Sequence, residues 1–212
     1  MFDKVQEASP TISKRGLYVN NKVTYTGVME YVSRAGEKLE FAFKSFGVEM
    51  GGLVCADFGS STGGFVDCLL QHRAKKVYAV ETGYGLLDWK LRNDPRVVVM
   101  EKTNAVYVEL PEKVDFITVD AGWTKQSTIL PSAYKNLKDG GRVISLVKLS
   151  FEAGKTNRQI KEPDIDGINT LLEKIKSDIT KSGFTVVDHI KSPILGSKGK
   201  NVEYLFYLRK LD

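Results

Sequence analysis

VCADFGSSTGGFVDCLL, residues 54–70, contains an apolar run and an amphipathic run that are joined by a glycine-rich loop. The run that ends at Asp57 is typical of a buried strand, and the run that begins at Gly64 is typical of a helix. Such a loop can hold a nucleotide, hold a phosphate or form only a tight turn. The rest of the chain must decide among these alternatives.

Short runs rich in β-branched residues recur between residues 53 and 148, with helical patterns between them. This alternation predicts an open, mostly parallel α/β sheet. The runs are almost continuously apolar, which is typical of strands covered by helices on both faces. The runs are LVCADF, KVYAVE, RVVVME, DFITVD and RVISLVK.

The sequence of the C-terminal third predicts one helix followed by two further strands. The apolar residues of the helix follow three-and-four spacing, and Gly183 is placed to end it. The strands FTVVDHI and VEYLFYL are separated by KSPILGSKGKN, which is too short for a helical crossover between parallel strands. We therefore expect an α/β fold with a mostly parallel seven-stranded sheet and an antiparallel last strand. The helix positions are Ile168, Leu171, Leu172, Ile175 and Ile179.

Length and composition favour one globular domain. The chain has 212 residues and is 42% hydrophobic, which is enough for one substantial core. Residues 1–30 show no clear period, so we expect an N-terminal arm or short β-turn structure there and the main domain at 31–212. Both cysteines fall within a predicted strand or helix, which favours buried, reduced thiols.

The charge balance and the hydropathy limit which partners and which cellular compartment we expect. A net charge of +5 favours a polyanionic partner without demanding one. No apolar run approaches the length of a membrane-spanning helix, and the N-terminus lacks the apolar core of a signal peptide. We expect a cytoplasmic protein that does not associate with membranes.

The glycine loop departs from two common nucleotide-binding patterns. A P-loop requires Gly-Lys followed by Ser or Thr, whereas Phe65 follows Gly64 here. The dinucleotide fingerprint GxGxxG also fails, because Gly59 and Gly63 are separated by Ser-Ser-Thr. Binding of a nucleoside triphosphate is therefore not expected.

The residues around the loop fit S-adenosylmethionine best. Glu81 ends the second strand and can accept hydrogen bonds from both ribose hydroxyls. A positive sulfonium tolerates Asp57 and Asp120 nearby, and Asn104 follows the third strand, which places it near the adenine. Another nucleotide and a purely structural turn remain as alternatives, and no metal site is expected. The predicted donor-site residues are Asp57, Gly59, Ser60, Ser61, Gly63, Gly64, Phe65, Glu81, Thr82, Asn104 and Asp120.

Several separated motifs resemble those of one family. They are YVSRAGEKL (31–39), ADFGSSTGGFVD (56–67), AVETGYGLLDWKLRNDPRV (79–97), EKTN (101–104), FEAG (151–154) and NVEYLFYLR (201–209). In this order they are similar to the TlyA-type, or hemolysin A, branch of the FtsJ-like ribose methyltransferases. The resemblance covers roughly residues 31–154 and 192–209.

The resemblance implies a Rossmann-like fold, S-adenosylmethionine as methyl donor, and 2′-O methylation of ribosomal RNA by a Lys-Asp-Lys-Glu tetrad. The tetrad positions map to Lys38, Asp120, Lys148 and Glu203. A ribose hydroxyl must lose its proton as it attacks a methyl group, and Lys148 is the candidate base. Ribosomal RNA or a ribosomal subunit is the implied partner, and the oligomeric state stays open.

The sequence also departs from the pattern of this family. Members usually carry an N-terminal RNA-binding module, whereas only unpatterned residues precede SRAGEKL here. The segments after Asp120 and Lys148 read Ala-Gly-Trp-Thr-Lys and Leu-Ser-Phe-Glu, which differ from the usual ones. A non-catalytic ribosome assembly factor that binds donor and RNA is therefore an alternative. A methyltransferase with a non-RNA substrate is another, because a Rossmann-like donor half does not determine the acceptor.

Two further features suggest RNA contacts. Trp123 could stack on a target base or pack into the wall of the cleft. Basic residues after the fifth strand and in the final loop could form a rim that contacts phosphates, with plain solvation as the alternative. They are Lys155, Arg158, Lys161, Lys191, Lys198 and Lys200.

Overall fold

The computed structural model describes residues 17–19, 22–24, 31–122, 124–154, 165–196 and 202–211. Within the first two ranges, the short strands β1 (Leu17–Val19) and β2 (Lys22–Thr24) pair antiparallel. The other residues of the predicted arm lie outside these ranges, so the boundary at residue 30 stays a prediction.

Seven strands form the main sheet, as the sequence predicts. Their spatial order is β5-β4-β3-β6-β7-β9-β8. Strands β3 to β7 are parallel, and β9 runs antiparallel to both of its neighbours. The last strand of the chain is thus inserted between β7 and the edge strand β8. The strands are β3 (Val54–Phe58), β4 (Lys76–Val80), β5 (Val97–Met100), β6 (Val114–Val119), β7 (Leu137–Lys148), β8 (Phe184–Lys191) and β9 (Glu203–Lys210).

Six helices accompany the sheet in the part of the chain that the structure describes. They are α1 (Arg34–Phe46), α2 (Gly64–Gln71), α3 (Trp89–Arg92), α4 (Gln126–Asn136), α5 (Leu149–Glu152) and α6 (Ile165–Lys181). The predicted stop is confirmed, because α6 ends just before Gly183, whose φ is +89°.

Two apolar clusters lie on opposite faces of the sheet. On one face, Leu39 of α1 and Leu69 of α2 belong to the same cluster as Phe116 of β6. On the other face, α4 and α6 contribute to a cluster that includes Ile117, the next residue of that strand. Strand residues are therefore buried on both faces, which explains their continuous hydrophobicity.

The strand order places a topological switch point between β3 and β6. From β3 the chain continues outward through β4 to β5, and then returns to build β6 and β7 on the other side. In such sheets the crevice at the carboxyl ends of the strands is the usual ligand site. Asp57 and Asp120 lie at the ends of the two central strands, so both border this crevice.

Candidate active site

The glycine loop makes a tight turn at the end of β3. The amides of Gly59 and Ser60 both donate to the carbonyl of Val80, at 2.9 and 3.1 Å. Gly59 has a φ of +90°, and a Cβ there would lie 2.7 Å from the carbonyl oxygen of Asp120. Only glycine fits this close approach of two strand ends. Gly63 has a φ of +100° and packs against Leu87 and Leu91, which leave no room for a side chain at this position of the loop.

A cavity of about 100 Å³ lies against this loop. Most of the predicted donor-site residues line it. Ser33, Ala35 and Thr62 also line it, and the sequence reasoning missed them. The predicted residues in the lining are Asp57, Gly59, Ser60, Ser61, Gly64, Phe65 and Asp120.

Asp57 is a buried carboxyl group at the base of the cavity, with 1% of its surface exposed. Burial raises its pKa to about 7, the hydrogen bond from Thr118 lowers it, and the charge of Asp120 raises it further. The Thr118 hydroxyl donates to Asp57 Oδ1 at 2.7 Å. A cation in the cavity would therefore favour ionisation of Asp57.

Glu81 faces the loop from the end of β4. Its carboxylate accepts from the amides of Ser61 and Gly83, at 2.9 and 2.8 Å, and from the Thr82 hydroxyl at 3.0 Å. Burial raises the pKa of Glu81, but the hydrogen bonds from Gly83, Ser61 and Thr82 outweigh it, so the pKa is lowered. The carboxylate stays ionised and keeps further lone pairs for ribose hydroxyls.

The lining of the cavity does not include four of the predicted donor-site residues, which are Gly63, Glu81, Thr82 and Asn104. Asn104 is exposed, and its side-chain oxygen accepts from the amide of Val106 at 2.9 Å. The adjacent Thr103 amide donates to the Glu81 carbonyl at 2.9 Å, so the segment does reach the end of β4. Asn104 itself lies outside the lining of the cavity.

The described residues fit S-adenosylmethionine. The loop offers backbone without a lysine, and α2 begins after Gly63 with no side-chain cap on its amides, which suits a carboxylate. Asp57 and Asp120 suit the positive groups of such a molecule, and Glu81 suits its ribose hydroxyls. When bound, this group supplies an electrophilic methyl on a sulfonium sulfur.

The four predicted tetrad residues form two ion pairs, which the strand register brings together. Lys38 Nζ lies 2.5 Å from Glu203 Oε2, and Lys148 Nζ lies 2.5 Å from Asp120 Oδ1. Lys148 and Glu203 are paired residues of the antiparallel strands β7 and β9. Side chains of directly opposed residues project from the same face, roughly 5 Å apart at Cβ. The structure therefore brings all four together.

The two ion pairs differ in burial. The side chains of Lys38 and Glu203 are 10% and 3% exposed, whereas those of Lys148 and Asp120 are 19% and 22% exposed. The first pair is thus an interior support, and the second faces the cleft. Asp120 also lines the cavity, and the Lys148 amine lies beside Asp120.

The start of α1 is fastened to the start of α2. A Cβ on Gly64 would lie 2.8 Å from the Gly36 amide nitrogen, and a Cβ on Gly36 would lie 2.8 Å from the Gly64 carbonyl oxygen. The buried Asp67 carboxylate accepts from the amide of Val32 at 2.9 Å. The small residues of SRAG signal this close approach in the sequence, whereas nothing in the sequence signals the role of Asp67.

A second polar cluster lies away from the cavity, between α1 and the end of α2. Oxygen, sulfur and nitrogen atoms of Glu40, Cys68 and His72 lie within 4.8 Å of one another. Glu40 also contacts Lys44 at 2.9 Å and accepts from the Tyr31 hydroxyl at 3.0 Å. Its charge is already compensated there. Both cysteines are buried free thiols, as expected.

Most of the predicted RNA-contacting residues lie outside the described part of the chain. These are Trp123, Lys155, Arg158, Lys161, Lys198 and Lys200. Lys191 is described and lies exposed at the end of β8. Their proposed contacts with RNA stay predictions.

The sheet order, the loop at the switch point and the acidic residues at the strand ends define a methyltransferase of the Rossmann-like class. The FtsJ-like methyltransferase family matches residues 31–210, and the chain belongs to this family. Family membership confirms the predicted enzyme class and the predicted cofactor, S-adenosylmethionine.

Known proteins similar to the chain include members of the predicted branch. Hemolysin A of Brachyspira hyodysenteriae is 42% identical over 188 residues, which is 84% of this chain and 76% of that protein. The 16S/23S rRNA (cytidine-2′-O)-methyltransferase TlyA of Mycobacterium tuberculosis is 36% identical over 187 residues, 84% of this chain and 68% of that protein. These matches confirm the predicted resemblance to the TlyA-type branch.

A solved structure of a hemolysin candidate from Streptococcus thermophilus has the same fold. It superposes with a TM-score of 0.82 at 39% identity, covering 89% of this chain and 70% of that one. In the described part of the present chain, no helix has the length and apolar character to cross a membrane.

Proposed function

We propose that the protein transfers a methyl group from S-adenosylmethionine to a ribose 2′-hydroxyl of RNA, and that the RNA is ribosomal. The observation that carries this proposal is that the register of β7 and β9 brings the Lys38–Glu203 and Lys148–Asp120 ion pairs together beside the cavity. Such an arrangement suits a proton transfer beside a bound methyl donor.

The acceptor chemistry assigns a role to Lys148. The 2′-oxygen forms a bond to the methyl carbon while the carbon–sulfur bond breaks and leaves a neutral thioether. The hydroxyl proton passes to the amine of Lys148, which must be uncharged at that moment. Asp120 orients the amine, and the buried pair of Lys38 and Glu203 fixes the wall behind it.

The choice of ribosomal RNA is supported by relatives. The Mycobacterium tuberculosis relative is named as a 16S/23S rRNA (cytidine-2′-O)-methyltransferase. The Campylobacter jejuni relative, 33% identical over 184 residues, is named as a 23S rRNA (cytidine-2′-O)-methyltransferase. The net charge of +5 is consistent with a polyanionic substrate.

The test is transfer of a radiolabelled methyl group to unmodified ribosomal RNA, intact ribosomal subunits and a protein fraction, followed by digestion to nucleosides. Lys148→Arg is the sharpest variant, because arginine keeps a positive partner for Asp120 but cannot lose its proton near neutral pH. Lys138→Ala is a matched control, since Lys138 forms an exposed ion pair with Asp115 near the other end of β7.

We expect label on a ribose with the wild type and with Lys138→Ala, and a loss of roughly 10²-fold or more with Lys148→Arg. Label on protein or on a base would contradict the proposal. Donor binding without transfer to any acceptor would instead favour a non-catalytic ribosome assembly factor.

A further inference from the structure

Two segments that are separate in sequence carry the pair that faces the cleft. Asp120 follows β6 and precedes the loop that leads into α4, and Lys148 ends β7 and precedes α5. The geometry of this pair depends on how the two segments are held relative to each other.

The N-terminus of α4 is capped from outside its own segment. Lys125 at the N-cap makes no side-chain cap, and the first turn contains no acidic residue. Glu152, at the end of α5, accepts from the Gln126 amide at 2.7 Å. A carboxylate satisfies one of the free amides at a helix N-terminus and also complements the helix dipole.

The same glutamine continues the contact into the sheet. The Ser145 hydroxyl of β7 donates to Gln126 Oε1 at 2.7 Å. Glu152, Gln126 and Ser145 are 5%, 3% and 0% exposed, so water does not compete for these bonds. Ser145 also pairs with Val119, the residue before Asp120. The three side chains therefore bridge the Asp120 segment and the Lys148 segment.

We propose that Glu152 is a positioning residue, which holds Asp120 and Lys148 in reacting geometry through Gln126 and Ser145. The proposal rests on the proposed function of the Lys148–Asp120 pair. Glu152 itself does not touch the reacting atoms in this arrangement. Burial raises the pKa of Glu152 and the Gln126 amide lowers it, with a net increase, so a neutral glutamine is a tolerable replacement.

Two substitutions of Glu152 distinguish the effect of losing its hydrogen bond with the Gln126 amide from the effect of changing its charge. Glu152→Gln keeps an oxygen that can accept from the Gln126 amide, whereas Glu152→Ala removes it. Glu173→Ala is the control, because Glu173 is 72% exposed on α6 and pairs only with a neighbour on its own helix in the described structure. All are measured in the full chain against the RNA substrate.

We expect Glu152→Ala to lower kcat by at least about tenfold, since a misplacement near 1 Å costs up to roughly 10²-fold. The Kd for donor should change less than kcat does, because the donor loop and Glu81 keep their contacts and only Asp120 of the cavity lining shifts. Glu152→Gln should recover most of kcat. Unchanged kcat in Glu152→Ala, or equal losses of kcat and donor affinity, would overturn the proposal.

Hydrogen exchange tests the positioning without relying on turnover. Amides of residues 120–126 should exchange faster in Glu152→Ala than in the wild type and in Glu152→Gln, while residues 54–66 should stay unchanged. This pattern in a chain that methylates no RNA would support the bridge and overturn the proposed function alone. Unchanged exchange would overturn the bridge whatever the activity.

Ser145→Ala provides the same exchange test if Glu152→Ala fails to fold, because it removes only one hydroxyl group from the bridge. Faster exchange of residues 120–126 in this variant supports the bridge, and unchanged exchange overturns it.

Discussion

Lys148 and Glu203 occupy opposed positions on β7 and β9, and this register joins two ion pairs into one site. Without it, Lys38 with Glu203 and Lys148 with Asp120 would be two separate contacts. The register depends on β9 inserting between β7 and β8, because only an antiparallel neighbour presents its first residue opposite the last residue of β7. The fold and the proposed chemistry therefore depend on the same strand.

The buried pair of Lys38 and Glu203 should be costly to break from one side. Lys38→Met leaves an uncompensated buried carboxylate, so we expect a loss of about 3–5 kcal/mol in the free energy of unfolding. Lys38→Met combined with Glu203→Leu should recover much of that loss, since no buried charge remains. Urea unfolding of the single and double variants measures both effects.

Methyl transfer should not recover in the double variant, because the wall behind Lys148 has lost its polar groups. Lys138→Ala is the control, because it breaks an exposed ion pair on β7, the strand that carries Lys148. It should change the free energy of unfolding by less than about 1 kcal/mol. A double variant as active as the wild type would show that the pair is only structural.

The affinity for donor should depend on pH through Asp57. With a pKa of about 7 before binding, Asp57 is mostly neutral at pH 6 and mostly ionised at pH 8. If a cationic donor binds only the ionised form, its affinity should be about tenfold higher at pH 8 than at pH 6. Calorimetric titration with S-adenosylmethionine at both pH values measures this ratio.

The Asp57→Asn variant should bind donor weakly and with little pH dependence. The stability of the wild type should depend on pH in the opposite direction to its donor affinity. A raised folded-state pKa means that the wild type loses stability as pH rises from about 4 to about 7, and the Asp57→Asn substitution would remove this loss. Asp139→Asn is the control, because Asp139 is an exposed carboxylate far along β7. Equal pH dependence in the wild type and Asp57→Asn would contradict the assignment.

The sequence predicts the sheet well because its strands are marked by β-branched runs. Asp57, Glu81, Asp120 and Lys148 lie at or next to the ends of these runs, where ligands bind in open sheets. The pairing of Lys148 with Glu203 could not be read from the sequence, because it depends on the tertiary register of β9. The bond from Asp67 to the Val32 amide likewise joins elements without any local signal.

Strand order predicts the edge of the sheet on which a residue lies, but not where its side chain points. Asn104 lies after β5 at this edge, its side chain caps the following turn at Val106, and its place in the donor site stays a prediction. Ser33 and Ala35 line the cavity from the motif that carries Lys38, and no sequence pattern predicts their orientation.

Gly64 should not tolerate a side chain, since it lies where α1 and α2 approach most closely. A Cβ there would meet Ser33 and the Gly36 amide, so the helices must separate. We expect Gly64→Ala to lower the free energy of unfolding by about 1–3 kcal/mol and to weaken donor binding, because the loop moves with α2. Thermal unfolding and donor titration measure the two effects.

Gly51→Ala is the matched control for this substitution, because no atom lies within 4 Å of a Cβ at that position. It should leave both the stability and the donor affinity unchanged. If Gly64→Ala bound donor as the wild type does, the contact between the two helices would have no part in forming the cavity.

Glu40 should make the interface of α1 and α2 sensitive to acid. Its hydrogen bond with His72 lowers its pKa, burial raises it, and contacts with Lys44 lower it further, to about 2. A carboxyl group with a depressed folded-state pKa stabilises the fold above its unfolded value of about 4.5 and loses that contribution as pH falls toward 2. Glu40→Gln should therefore be less stable than the wild type at pH 7, by on the order of 1–2 kcal/mol.

The difference between Glu40→Gln and the wild type should shrink when urea unfolding is repeated at pH 5, 4 and 3.5, because the unfolded wild-type chain takes up a proton at Glu40 below about pH 4.5 while the folded chain does not. Glu49→Gln, at an exposed carboxylate beyond the end of α1, should show no such convergence. A difference that stays constant down to pH 3.5 would mean that hydrogen bonding and shape, rather than the charge of Glu40, hold the two helices together. Donor affinity of Glu40→Gln at pH 7 is a second measurement. Because α1 carries Lys38 and α2 begins at the loop, a loosened interface should weaken donor binding as well as stability.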